Sequence, residues 1–315
     1  MTAGFVSVAD EVGRLQSGRD LESRLFQEVA EQGHYAGRTV PTATRQGTYV
    51  LAPSGVLLAS GNSNDAGVVA DMLRGALKKW AELPQEDRYL SELPPAREAA
   101  QRWETRFDDI ELVLRVNSRD LPRERATGRP TQNGEGARDW RARAWNQDYA
   151  WFNRQEVSGL IPTEPVVGAE YQVPEELIQR LARLHLVDNV RGQTAPFGVE
   201  AVQSASLKVT VTEVVDKRVK LRLEGATRTE QAEGPSAYDS ERGFDSELLG
   251  QAVYDLSSER FVEFEMVAIG SRWGGTQYNG RRDDLAPAPM GIAFTLASAE
   301  PAELIAPAFI HAYGW

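Results

Sequence analysis

The alternation of apolar and polar positions divides the chain into two stretches of different character. In the first, the period is mainly helical. Leu21, Leu25, Phe26 and Val29 recur at helical spacing behind Asp20, which can cap a helix running to Gln32, and Gly33 is a plausible stop. Val69, Met72, Leu73, Ala76, Trp80 and Leu83 form one stripe of a long helix that opens at Asn64 or Asp65 and ends at Pro84. Between these helices, Thr48–Ala52 and Val56–Ser60 read as two strands joined by the turn Pro53-Ser54-Gly55. Phe5–Ala9 reads as a short strand, His34–Gly47 as a loop, Pro94–Phe107 as a second long helix and Ile110–Val116 as a strand.

The second stretch is mostly of period two. Strand-like runs occur at Leu207–Val215, Arg218–Leu223, Leu248–Leu256, Phe261–Ile269 and Met290–Leu296. Val209-Thr210-Val211-Thr212 and Val219-Lys220-Leu221-Arg222-Leu223 alternate cleanly, which predicts an antiparallel sheet with one face in water. One helix interrupts this pattern. Pro174-Glu175-Glu176 opens it, and Leu177, Leu181, Leu184 and His185 share a face. Residues 118–144 carry seven arginines and four acids among Gly, Pro and Gln, and read as an exposed loop or linker. The expected fold class is α+β: an αβ domain over 1–110, an exposed Arg/Gly-rich segment over 118–150, and a β-rich domain over 151–315, forming a sheet or partial barrel.

Composition narrows the chemistry. The chain has 315 residues and a formal net charge of −11. It contains no cysteine, so disulfides, thiolate nucleophiles and zinc–thiolate sites are excluded. The acidic balance argues against nucleic acid as a partner. No run of about 18 apolar residues exists to span a membrane. The start lacks the basic and apolar regions of a signal peptide, so the cytoplasm is the default compartment, with export open to a trimmed mature chain. G-X-S-X-G, H-E-X-X-H and G-X-G-X-X-G after a strand are all missing.

The phrases TYVLAPSGVLLAS (Thr48–Ser60) and NDAGVVADMLRGALKKW (Asn64–Trp80) resemble the second half of a thioredoxin-like domain, which ends in a hairpin and a helix packed on the sheet. The resemblance covers about a quarter of the chain and implies that fold for the first domain; similar N-terminal halves occur in bacterial proteins. The family's paired cysteines are absent. Its cis-proline has no equivalent either, since Gln46-Gly47 stands at that place and Pro41 lies too far upstream. The resemblance therefore implies a scaffold without redox activity.

Candidate sites lie mainly in the second stretch. His185, Asp188, Asn189 and Arg191 form a dense polar cluster. His185 and Asp188, three apart, could hold a divalent metal or pair as base and orienter. The structural alternative is a helix end, with His185 on the core and Arg191 bound to carbonyls or an internal acid. A long loop carries Trp273, Tyr278, Asn279, Arg281 and Asp283, a composition suited to contacting a ligand. Its structural alternative is a wide β connection with an Arg–Asp surface network. Trp140, Trp145, Tyr149, Trp151 and Phe152 supply aromatic surface for a ligand or a domain interface. His34, between glycines, and His311 are lesser candidates.

The sequence thus points to a non-redox binding or scaffold protein for a small molecule or a protein, without a cofactor. Its surface would combine residues 130–155, 185–193 and 271–284. The alternative is a metal-assisted hydrolase or oxygenase, in which His185, Asp188 and Asp283 converge in one pocket. A weaker third reading is a sheet curled around an apolar ligand.

Overall fold

The computed structural model describes residues 4–6, 8, 12–35, 44–63, 65–91, 109–122, 140–162, 164–232, 234, 239–300 and 303–314. The chain forms two compact units, Met1–Ala99 and Ala100–Trp315.

In the first unit, α1 (Val12–Ser17) precedes α2 (Leu21–Gln32). Asp20 caps α2, its carboxylate accepting from Ser23 N at 2.9 Å. Strands β1 (Thr48–Leu51) and β2 (Leu57–Gly61) pair antiparallel. Gly55 turns the hairpin at φ +91°, a left-handed backbone that favours glycine. Helix α3 (Ala66–Glu82) is capped by Asp65 and followed by the short α4 (Gln85–Arg88). The stripe of α3 is buried on the hairpin: Met72, Leu73, Ala76 and Trp80 pack with Val50, Ala52 and Leu58. The sequence expectation differs at the start. Phe5, Val6 and Val8 are not in a strand, although Phe5 packs on this core; Ser7 and Ala9 lie outside the described residues. The helix expected over Pro94–Phe107 and residues 36–43 of the loop also lie outside them.

The second unit is built on one eight-stranded sheet, antiparallel throughout. Its strands are β3 (Ile110–Asp120), β4 (Trp145–Asn153), β5 (Glu170–Gln172), β6 (Val202–Val215), β7 (Arg218–Gln231), β8 (Arg242–Asp255), β9 (Arg260–Trp273) and β10 (Ala288–Leu296). They lie in the order β4-β3-β10-β9-β8-β7-β6-β5. Helix α5 (Arg154–Ser158) follows β4 under a capping box between Asn153 and Glu156. Helix α6 (Glu175–Leu184) packs on β6 and β7.

On α6, Leu177, Ile178 and Leu181 share one core with Leu112 and Leu114 of β3, Phe152 of β4, Val209 of β6, Leu221 of β7 and Phe294 of β10. Arg180 of α6 also donates to Trp151 O of β4 at 3.0 Å. In a flat sheet β4 and β7 would stand five strand spacings, about 24 Å, apart. A helix about 10 Å across touches both only because the sheet curls around it. Gly250 permits close strand approach, since a Cβ there would lie 2.7 Å from Glu265 O.

Three boundaries correct the sequence reading. First, Ile110–Asp120 joins this sheet between β4 and β10, so the first unit does not extend to 110. Second, the segment expected as linker over 118–150 contains the end of β3 and most of β4, although residues 123–139 lie outside the described part. The inward positions Asn146 and Asp148 are polar and hide the alternation of β4. Third, β7 and β8 run further than their apolar runs, because Thr227, Thr229, Arg242 and Ser246 are buried and polar. Thr227 and Ser246 satisfy each other at 2.9 Å. No helix among the described residues is long and apolar enough to cross a membrane.

Candidate functional site

Two loops and the ends of β3 and β9 meet at one end of the sheet. The chain leaves α6 at His185 and turns at Asp188-Asn189. Asn189 braces the turn, its Oδ1 accepting from Thr194 N at 2.9 Å and its carbonyl from Asn146 Nδ2 at 2.9 Å. The β9–β10 loop closes on itself through Gly274 N to Leu285 O (2.8 Å) and Thr276 N to Asn279 Oδ1 (3.0 Å). Thr194 and Thr276 join the two loops at 3.0 Å.

Arg281 fills the space between them with no exposed surface. Its guanidinium grips two carboxylates as forks. Nε and Nη2 donate to Asp188 at 2.7 and 2.9 Å, and Nη1 and Nη2 donate to Asp120 at 2.9 and 2.6 Å. Nη1 also reaches Asp284 at 3.1 Å. Arg191 bridges Asp120 at 2.9 Å and Asp284 at 2.8 Å. Arg272, also buried, donates to Asp284 Oδ2 at 2.6 Å. Three arginines therefore balance three aspartates. Burial works against the Arg281 cation, but Asp188 and Asp120 outweigh it and hold its pKa above the ordinary value. Burial likewise opposes the Asp284 anion, yet Arg272 and Arg191 bring its pKa below the usual carboxylate value. Next to this network, buried Arg242 donates to Thr194 Oγ1 and the carbonyls of Ala195 and Pro196 at 2.9–3.0 Å.

His185 belongs to a different cluster. Its Nε2 lies 2.6 Å from Tyr313 Oη, which accepts from Trp151 N at 3.2 Å. Leu184, Val187, Phe197 and Phe309 pack in one cluster with Tyr313. Burial, reinforced by Arg180, pushes His185 down to about 3, and burial raises the Tyr313 phenol. Neither group is poised to exchange protons near neutrality.

The nine sequence candidates thus separate. Asp188, Arg191 and Arg281 converge, and Asn189 and Asn279 brace their loops. His185 stays with Tyr313, and both Asp188 oxygens are taken by Arg281, so the proposed His185–Asp188 pair does not face one site. Asp283 is exposed, 3.8 Å from Arg141. Trp273 lies under the Arg228 guanidinium, 5.8 Å from its ring centre. Tyr278 is 73% exposed. Trp140, 53% exposed, stands beside Gly280, where a Cβ would come within 3.7 Å of its ring. The Arg–Asp network expected at the surface is instead centred on the buried Arg272 and Arg281, with its aspartates only partly buried.

Sequence reasoning passed over Asp120, Arg272, Arg242 and Tyr313. One signal was available: Arg272 continues the inward series Phe264, Met266, Ala268, and a charge at such a position calls for buried partners. Among the described residues, no group of three or more His, Asp or Glu could hold a metal ion. Comparison with known proteins finds no matching family model, no matching curated protein and no matching solved structure.

Proposed function

We propose that the protein is a non-redox binding protein whose ligand-contacting surface is the loop end of the large sheet. One observation carries this reading. Arg281 ties the β9–β10 loop to two partly buried aspartates, while Tyr278 and Trp140 on and beside that loop stay exposed. A braced loop displays its aromatic faces without an ordering cost on binding, and Trp and Tyr give large contact area for few rotatable bonds. The charges beneath are mutually neutralised, so the surface favours flat, weakly charged ligands over ions. In the first unit, the order of α2, hairpin and α3 and the absence of cysteine support a thioredoxin-like scaffold without redox chemistry.

A metal-assisted enzyme built on His185 and Asp188 has less support, because those side chains serve separate clusters. The test is tryptophan emission of the full chain titrated with soluble neutral oligosaccharides and with aromatic- and proline-rich peptides. A saturable change that a Trp140→Ala/Tyr278→Ala double variant loses, at unchanged melting temperature, supports the reading. Absence of any saturable change across the panel, or a change that survives in the double variant, overturns it. Stoichiometric transition metal in the purified protein would revive the enzyme alternative.

A further inference from the structure

The face of the large sheet turned away from α6 carries an ordered pattern that the loop-end reading does not use. The pairing registers place its side chains in rows across β7, β8 and β9. Lys220, Val253 and Glu263 form one row, and Arg222, Gln251 and Glu265 the next. Glu224, Leu249 and Val267 form a third, and Ala226, Glu247 and Ile269 a fourth. Leu249 and Ile269 are 57% and 45% exposed, although they sit on central strands. Contiguous apolar surface of this kind marks an interaction site. An open hollow of about 890 Å³ lies over the first three of these rows, with Lys220 and Arg222 on one side and Glu263 and Glu265 on the other.

The first two rows are therefore bipolar, with bases on β7, acids on β9 and Val253 and Gln251 between, and the apolar Leu249, Val267 and Ile269 follow beside Glu224 and Glu247. We propose that this face is a self-complementary interface that docks a second copy of this chain face to face. A two-fold axis lying in the interface, parallel to β8, sets β7 of one copy over β9 of the other at the same height. Lys220 then meets Glu263, Arg222 meets Glu265, Glu224 comes over Val267, Ala226 meets Ile269, and Gln251 and Leu249 each meet their own copies. Closed two-fold pairing of one patch with itself is the commonest mode of association. Facing sheets pack about 10 Å apart with interdigitated side chains, so the long side chains of each copy fill the hollow of the other.

Within one chain Lys220 pairs with Glu213 and Arg222 with Glu224, both in exposed positions where such pairs contribute little and re-form readily. Glu263 and Glu265 have no ion-pair partner among the described residues, which leaves them open to a partner's bases. Glu247 also lies on the axis strand and would face its own copy, so the contact is centred toward Leu249 and Val253. A nucleic acid would answer the bases but not the acids, and a basic peptide the reverse; a second copy answers both.

The experiment is the oligomeric state of the full chain by sedimentation and light scattering from low micromolar to about 100 µM. A dimer is expected. Arg222→Glu and Leu249→Arg are each expected to weaken it by about tenfold or more, with unchanged circular dichroism. Arg222→Glu combined with Glu265→Arg is expected to restore it, because the swapped charges meet again across the axis. A monomeric wild type throughout, a dimer indifferent to both single variants, or a double swap that fails to rescue while remaining folded would each overturn the proposal. The swap reads rescue rather than loss, so a damaged fold cannot imitate success.

Discussion

The loop end and the outer face of the same sheet use the same chemistry to opposite ends. At the loop end, Arg191, Arg272 and Arg281 are buried or nearly so and meet Asp120, Asp188 and Asp284 at hydrogen-bonding distance. On the outer face, Arg222 pairs with Glu224 at 2.7 Å, yet both side chains remain largely in water. The distances are alike and the consequences are not. A buried guanidinium between carboxylates is held by the cost of leaving any one of them unpaired, so it fixes two loops in a single arrangement. An exposed pair is screened and exchangeable, so it leaves the surface available. Burial, rather than the presence of an ion pair, distinguishes a brace from a contact surface.

The largest expected effect comes from breaking the brace. Arg281→Leu removes a fully buried guanidinium, leaves the partly buried Asp120 and Asp188 without their main cation, and is expected to cost about 3 kcal/mol in urea denaturation. Arg281→Lys keeps the charge but cannot form either fork, and will fall between wild type and leucine. A change below about 1 kcal/mol for Arg281→Leu would show that the network does not hold the loops.

The next effect is a pH dependence. His185 in the fold stays neutral down to about 3, whereas an unfolded histidine protonates near 6.5. The unfolded state then binds the extra proton, so stability is complete above about pH 6.5 and falls as pH drops toward 3. Between pH 6.5 and about 5, before carboxylates titrate, this slope belongs to the histidine. His185→Gln will flatten it, and an unchanged slope would refute the burial of the imidazole. Asp284 adds a loss at lower pH, since its carboxyl, depressed in the fold, stabilises above its unfolded pKa and less as pH falls through the folded one.

Tyr313→Phe removes the hydroxyl shared by His185 and Trp151 N, and is expected to cost about 1–3 kcal/mol, measured by thermal or chemical unfolding. The smallest effect belongs to the outer face. Arg222→Glu is expected to move monomer stability by no more than about 0.5 kcal/mol, measured at concentrations where association does not contribute. A large loss there would mean that the face is structural rather than free.

The elements themselves were legible where one residue type answered one local need. Asp20 reads as a cap and is one, and of the two candidates Asn64 and Asp65 the second caps α3. Val219-Lys220-Leu221-Arg222-Leu223 alternates in sequence and in burial. Pro174-Glu175-Glu176 marks the start of α6. Legibility failed where a polar residue faces inward. Asn146 and Asp148 hid β4 inside an apparent linker, and Arg272 gave no hint of its partners 12 and 84 residues away, Asp284 and Asp188.

By itself, then, the sequence determined the local elements, the solvated face of the sheet and the lack of cysteine chemistry. These depend on side-chain period and composition, which act over a few residues. Only the tertiary structure decided that the sheet curls around α6, that His185 belongs to Tyr313 rather than Asp188, and that Asp120 reaches Arg281 across 161 positions. A buried charge takes whichever partner the packed strands bring within about 3 Å, and that choice is made in space, not along the chain.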